Sequence, residues 1–164
     1  MTENNNRSIL VVEDDHLVSE MVKGMLIELG YSIAGEAEDG HEAIEMVSTL
    51  HPDVVIMDIR MPRMNGIESA LLIQKYFPTP VVILSAYETE DLTEKAVEAG
   101  VGAYVVKPPK AIELMRAIEV SIARFDDMKK LREQNNRIQE ILKTVKQLTE
   151  ILPICENCRK IKGS

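Results

Sequence analysis

Short apolar runs alternate with longer amphipathic segments along this chain. The runs are Ile9–Val12, Val54–Met57, Val81–Leu84 and Ala103–Val106, with a weaker one at Tyr31–Ala34. They are rich in Val and Ile and continuous rather than alternating, as expected of strands covered on both faces in a parallel sheet. The intervening segments have helical spacing. Leu17, Met21, Met25 and Leu29 recur every four residues, and Gly30 ends that helix. Ala43, Ile44, Met46, Val47 and Leu50 mark a second helix, ended by His51-Pro52. Helices over 66–76 and 89–99 follow, the latter stopped by Gly100, and a fifth begins after Pro108-Pro109. The repeated β-α order predicts a doubly wound α/β domain with a five-stranded parallel sheet across roughly 7–125.

In such a sheet the functional groups gather at the carboxyl ends of the strands. The residues that follow the apolar runs therefore carry the chemistry. Glu13-Asp14-Asp15 follow the first run, Asp58 the third, Ser85 the fourth and Lys107 the fifth. Clustered carboxylates repel one another unless a cation is present, and an oxygen-only ligand set suits Mg²⁺. Carboxylates beside a lysine and a hydroxyl form a phosphoryl-transfer site, with Lys107 neutralising charge on the transferring group and Ser85 hydrogen-bonding one of its oxygens. An aspartate can itself be the nucleophile and form an acyl phosphate. Asp58 is the best placed, alone at the end of a buried strand.

Composition narrows the classes. The net charge is −8, against general nucleic-acid binding. Residues 1–125 carry 21 acids and 10 bases, whereas residues 126–164 carry 6 acids and 9 bases, so the two parts differ in character. Only 4% of the chain is aromatic, so the core must be aliphatic, with the nine Met mostly as core filler. No G-x-x-x-x-G-K-[ST], G-x-G-x-x-G or Ser-His-Asp grouping is visible. His16, His41 and His51 lack metal-ligand spacing and read as surface residues. The polar N-terminus lacks the apolar stretch of a secretory signal. No apolar run approaches the ~18–20 residues of a membrane span. Two closely spaced cysteines, Cys155 and Cys158, fit a reducing cytoplasm.

The stretches I-L-V-V-E-D-D (9–15), D-V-V-I-M-D-I-R-M-P-R-M-N-G (53–66), V-V-I-L-S-A (81–86) and G-A-Y-V-V-K-P (102–108) together resemble the receiver domain of two-component response regulators, the CheY-like superfamily with a flavodoxin-like fold. The resemblance implies that a partner sensor histidine kinase phosphorylates Asp58. It implies that Glu13 and Asp14, with Asp58 and the backbone carbonyl of Arg60, hold Mg²⁺ or Mn²⁺, while Asp15 stays outside the ligand shell. Ser85 and Tyr104 match the switch pair, Lys107 matches the phosphoryl-contacting lysine, and Lys107-Pro108 matches a cis peptide bond. Such a domain catalyses its own phosphoryl transfer and dephosphorylation without being a dedicated enzyme. Asn65 replaces the commoner Asp before Gly66, and Ser85 stands where Thr is frequent. Arg60 and Tyr87 occupy positions that tune dephosphorylation.

The helical pattern that begins at Ala111 continues without Pro or Gly to Leu152. Met128, Leu131, Asn135, Ile138, Leu142, Val145, Thr149 and Leu152 alternate spacings of three and four, a coiled-coil seam of about three to four heptads. Asn135 at an a position suits a parallel homodimer. Ile141 and Leu148 broaden the stripe, leaving open a higher-order coil, and a helix folded back on the receiver is the competing reading. A C-x-x-C at Cys155 and Cys158 follows, half of a tetrahedral Zn²⁺ site, with redox chemistry as the alternative. The expected organisation is a disordered N-terminus over 1–7, a receiver domain over 8–125, a coiled-coil helix over 126–152 continuous with the fifth receiver helix, and a CxxC tail over 153–164.

These expectations describe a cytoplasmic phosphorylation switch that signals through its coil, without direct DNA or membrane binding. Three other classes compete with it. One is a phosphorylation-independent adaptor. The second is a transcription factor, which the sequence disfavours because the 39 residues after 125 are mostly coil and hold no helix-turn-helix-sized unit. The third is the receiver portion of a larger hybrid kinase or output enzyme.

Overall fold

The computed structural model describes residues 6–86 and 90–151. Expectations for residues 1–5, for Tyr87 and for 152–164, including Leu152, Cys155 and Cys158, lie outside those residues. The described chain runs β1 (Ser8–Val12), α1 (His16–Glu28), β2 (Ser32–Ala37), α2 (Gly40–Leu50), β3 (Val54–Asp58), α3 (Gly66–Tyr76), β4 (Val81–Ser85), α4 (Glu90–Glu98), β5 (Ala103–Val106) and α5 (Ala111–Ile151). The five strands form one parallel sheet in the order β2-β1-β3-β4-β5.

The apolar runs are continuous because the sheet is covered on both faces. Ile9, Val11, Val54, Ile56, Val82, Leu84 and Val105 face α1 and the first turns of α5, through Val22, Leu26, Leu114 and Ile118. The alternate residues Leu10, Val12, Val55, Met57, Val81 and Ile83 face the other way, onto Ala43 and Val47 of α2 and Ala70 and Ile73 of α3. β3 and β4 are buried along their whole length. Gly30 and Gly100 both take positive φ, 92° and 77°, as expected of residues that end a helix.

The fold sets three local details that the apolar pattern leaves open. β2 extends to Ala37, past the run that marks it, because the edge strand pairs out to Val12 across a register shift at Ile9/Leu10. α2 starts at Gly40, three residues before its apolar pattern, because the Asp39 carboxylate caps the Glu42 amide. In α1 the spacing-four set does not form the buried face. Ser19, Val22 and Leu26 are buried, whereas Leu17 and Met21 are exposed. The methionines likewise flank the core more than they fill it. Met57 is buried, Met25, Met46 and Met61 pack at its margin, and Met21 and Met128 are exposed.

The chain divides into two units at Phe125/Asp126, and α5 passes through the division. Every described side chain from Asp126 to Glu150 is exposed. Among the described residues no helix is long and apolar enough to cross a membrane.

Candidate functional site

Parallel register brings the strand ends into line. Val12 pairs with Met57, so Glu13 emerges beside Asp58. Asp58 pairs with Leu84 and Ser85 with Val106, so Ser85 and Lys107 follow along the same rim. Backbone bonds tie these ends together. The Glu13 amide donates to the Ala37 carbonyl (3.0 Å) and the Lys107 amide to the Ser85 carbonyl (2.8 Å).

Four charged side chains converge there. Carboxylate oxygens of Glu13, Asp14 and Asp58 lie within 4.8 Å of one another. Glu13 and Asp58 are buried and Asp14 is exposed, so the cluster has a wet side. Lys107 Nζ donates to Glu13 Oε2 at 2.6 Å and sits 3.2 Å from Asp58 Oδ2. Asp15 turns away: its carboxylate caps α1, accepting from the Leu17 and Val18 amides.

Burial raises the Glu13 pKa above the ordinary carboxylate value; the Lys107 bond opposes this and the Asp58 charge adds to it. Burial works against the Lys107 cation, but the Glu13 bond and the Asp58 charge outweigh it and raise its pKa. The lysine therefore stays charged while bridging the two carboxylates. Ser85 is buried at the end of β4. Tyr104 is half-buried in β5, paired with Ile83 and packed at the margin of the core on the α2–α3 side. Arg60 lies two residues beyond Asp58 and is exposed. The Lys107-Pro108 bond is cis.

The loop after β3 carries features that sequence reasoning missed. The Gly66 amide donates to the Ile59 carbonyl at 2.9 Å, and a Cβ on Gly66 would fall well inside contact distance of the Asp58 carbonyl oxygen. Arg63, with φ 68°, places its guanidinium 2.7 Å from Asp39 Oδ2. Ser69 Oγ donates to the Gly40 carbonyl (3.2 Å), and a Cβ on Gly40 would meet Met64 and Ser69 at 2.9 Å. The loop that leads away from Asp58 is thus clamped onto the start of α2. A sequence signal that could have marked the start of α2 is the D-x-x-E of Asp39 and Glu42, a helix-start pattern.

A second polar group gathers at the outer end of β2. His16, Glu20 and Glu36 approach within 4.8 Å, a proximity hidden in the sequence because Glu36 comes from another element. Lys23 fills this group with cationic charge, at 2.5 Å from Glu20 and 2.8 Å from Glu36. Hydrogen bonds from Lys23 and Ser19 hold the Glu36 pKa below the ordinary range. The group is satisfied as an ion-pair network.

Comparison with known proteins places this geometry in a family. The model of the response regulator receiver domain matches residues 9–119. The chain is 41% identical over 140 residues to the Mycobacterium tuberculosis transcriptional regulatory protein PdtaR, covering 85% of this chain and 68% of that protein. It is 35% identical over 113 residues to the Thermotoga maritima chemotaxis protein CheY, covering 68% of this chain and 94% of that one. The crystal structure of the response regulator domain of Thermotoga maritima CheB superposes with a TM-score of 0.67 at 32% identity, over 72% of this chain and 97% of that one. Receiver domains interact with histidine kinases and bind Mg²⁺ at acidic residues, and this chain presents such a cluster. On the motifs, the fold and the rim together, this chain belongs to the response regulator receiver-domain family and is a two-component response regulator.

Proposed function

We propose that Asp58 is the phosphoacceptor, taking a phosphoryl group from a sensor histidine kinase in the cytoplasm. One observation carries this reading. Lys107 bridges Asp58 and Glu13 at the point where three carboxylates meet. An Asp58 carboxylate oxygen attacks phosphorus, the bond from phosphorus to the histidine nitrogen breaks, and that nitrogen keeps the electron pair. Burial of Asp58 at the end of β3 holds the nucleophile in one place. Lys107 supplies fixed positive charge beside the acceptor oxygen. Ser85 donates a hydrogen bond to a phosphoryl oxygen, and Tyr104 follows it inward as the switch partner.

The donor set fits a hard divalent cation: oxygen ligands only, two from buried residues and one from an exposed residue that leaves room for water. Glu13, Asp14, Asp58 and the Arg60 carbonyl would hold Mg²⁺ or Mn²⁺, which when bound offsets negative charge on the transferring group.

The reading is tested by intact mass after incubation with Mg²⁺ and a small phosphodonor. A single phosphoryl adduct is expected, lost on chelation. Its absence from folded protein that binds Mg²⁺ would favour a phosphorylation-independent adaptor.

Acidity should weaken cation binding early. Cations require the ionised carboxylates, and the Glu13 pKa is raised, chiefly by burial. A proton must therefore be displaced at a pH where an ordinary carboxylate is already bare. The stability linkage has the same origin. In the metal-free protein, Glu13's contribution is fully present below its unfolded pKa and is lost as pH rises through its higher folded value. Calorimetric Mg²⁺ titrations at pH ~5 and ~7.5 should show weaker binding at the lower pH, with proton release; equal affinity at both would overturn the assignment of Glu13.

The exposed part of α5 is read as a parallel two-stranded coil that carries the output. Its apolar positions are bare along a heptad seam, and Asn135 occupies an a position. Zn²⁺ at Cys155 and Cys158 remains a proposal from sequence alone. Light scattering on the full chain tests the coil, and a monomer at all concentrations would remove it.

A further inference from the structure

The apolar stripe on the exposed part of α5 does not keep one heptad frame. Leu131, Ile138 and Val145 recur every seven residues and form a common spine. Two different flanks can complete the seam. One flank is Met128, Asn135, Leu142 and Thr149; the other, one residue earlier each time, is Asp127, Gln134, Ile141 and Leu148. Before Ile138 the first flank is the more apolar. After Ile138 the second is. All of these apolar side chains are exposed.

Three arguments place a second copy of this chain on both halves, in different frames. The first is polar burial. Carrying the first frame through the distal half would bury Thr149 and leave Ile141 and Leu148 outside. Carrying the second through the proximal half would bury Asp127 and Gln134. Each choice desolvates polar groups and strands apolar area, which a mixed seam reduces to one buried polar residue, Asn135, and one excluded apolar residue, Leu142.

The second argument is side-chain shape. In the second frame Ile138 and Val145 occupy a positions and Ile141 and Leu148 occupy d. Branched residues at a with Leu at d favour two parallel strands, which is the pattern of Val145 and Leu148. Ile138 with Ile141 leans the other way, so the two-stranded preference rests on the Val145–Leu148 heptad and on Asn135 at a. The first frame would instead put Leu142 at a against Ile138 and Val145 at d, the arrangement that favours more strands.

The third is charge complementarity. In the first frame Asp127 is a g position and Arg132, five residues on, is the following e position. That is the spacing at which opposite charges meet across a parallel pair, and Asn135 at a fixes the register beside them.

We propose that two copies pair in parallel through Met128, Leu131, Asn135 and Ile138 in one frame, and then through Ile141, Val145 and Leu148 in a frame displaced at Ile138. This rests on the reading that the coil pairs two copies. The seam spacings run three, four, three, three, four, three. Two successive threes are a stammer, which overwinds the coil locally. The two distal frames share the spine and differ by a helix rotation of roughly 50°. Ile138 is therefore a point at which rotation can enter the coil without breaking the spine contacts.

Cysteine cross-linking of the full chain tests this, with Cys155→Ser and Cys158→Ser as background and circular dichroism to check helicity. Ile141→Cys and Leu148→Cys are expected to form intermolecular disulfides about tenfold faster than Leu142→Cys and Thr149→Cys, whose Cα atoms would sit beyond bridging reach. Leu148 and Thr149 are neighbours, so fraying affects both alike. Met128→Cys should cross-link and Asp127→Cys should not. Faster linkage at Leu142→Cys and Thr149→Cys, with Met128→Cys still linking, overturns the displaced frame and leaves the pairing intact. A chain that stays monomeric and links at no position overturns the pairing itself.

Discussion

Asp58→Asn is expected to give no phosphoryl adduct under conditions that label the wild type fully. The amide is nearly the same size and shape as the carboxylate but lacks its nucleophilic oxygen. The fold should survive the change. Asp58 sits at the end of a wholly buried strand, and Lys107 keeps its 2.6 Å bond to Glu13. Removing one of the clustered negative charges also relieves repulsion, since the Asp58 charge is one of the influences that push the Glu13 pKa upward. The lost 3.2 Å contact to the Lys107 cation works the other way, so the metal-free variant should unfold in urea close to the wild type. Intact mass and denaturation on the same preparation check both statements. An adduct at the wild-type level would move the acceptor to another carboxylate.

Gly66→Ala is expected to cost about 3 kcal/mol, at the upper end for forcing an extra carbon into a packed site. The added Cβ would overlap the Asp58 carbonyl oxygen, a backbone atom that cannot swing aside. Relief requires the start of α3 and the end of β3 to separate, which stretches the Gly66–Ile59 bond of 2.9 Å. Because the displaced backbone is that of Asp58, phosphoryl acceptance should fall even where the variant remains folded. Gly24→Ala is the contrasting change. Gly24 lies within α1, and a Cβ there meets nothing within 4 Å. Removing a helical glycine at such a site should raise stability by about 0.5–1 kcal/mol. Urea unfolding of the two variants would reveal the opposite signs, and a loss under about 1 kcal/mol for Gly66→Ala would show that the loop can yield.

Much of the site was legible because its signal is one-dimensional. A strand buried on both faces must be continuously apolar, so the first polar residue after it marks the carboxyl rim. Glu13, Asp58, Ser85 and Lys107 were found that way, without any knowledge of register. The missed features are pairwise. Gly66 reads as an ordinary helix start until the Asp58 carbonyl is seen pressed against it. Asp39 and Arg63 are two unremarkable charges 24 positions apart until the β3–α3 loop lays one on the other. Glu36 joins Lys23 only through the course of β2 beside α1.

The α1 stripe marks the same boundary from the other side. Leu17, Met21, Met25 and Leu29 repeat with helical spacing, which sufficed to show that a helix is present. Which face it buries depended on its docking over Ile9, Val11 and Ile56 through Val22 and Leu26. The amino-acid sequence alone determined the order of elements, the parallel sheet, the rim residues and the heptad stripe, because each follows from local periodicity. The tertiary structure alone decided the Lys107 bridge, the Asp39–Arg63 clamp and the fit of Gly66, because each depends on distances between segments that the chain brings together only on folding.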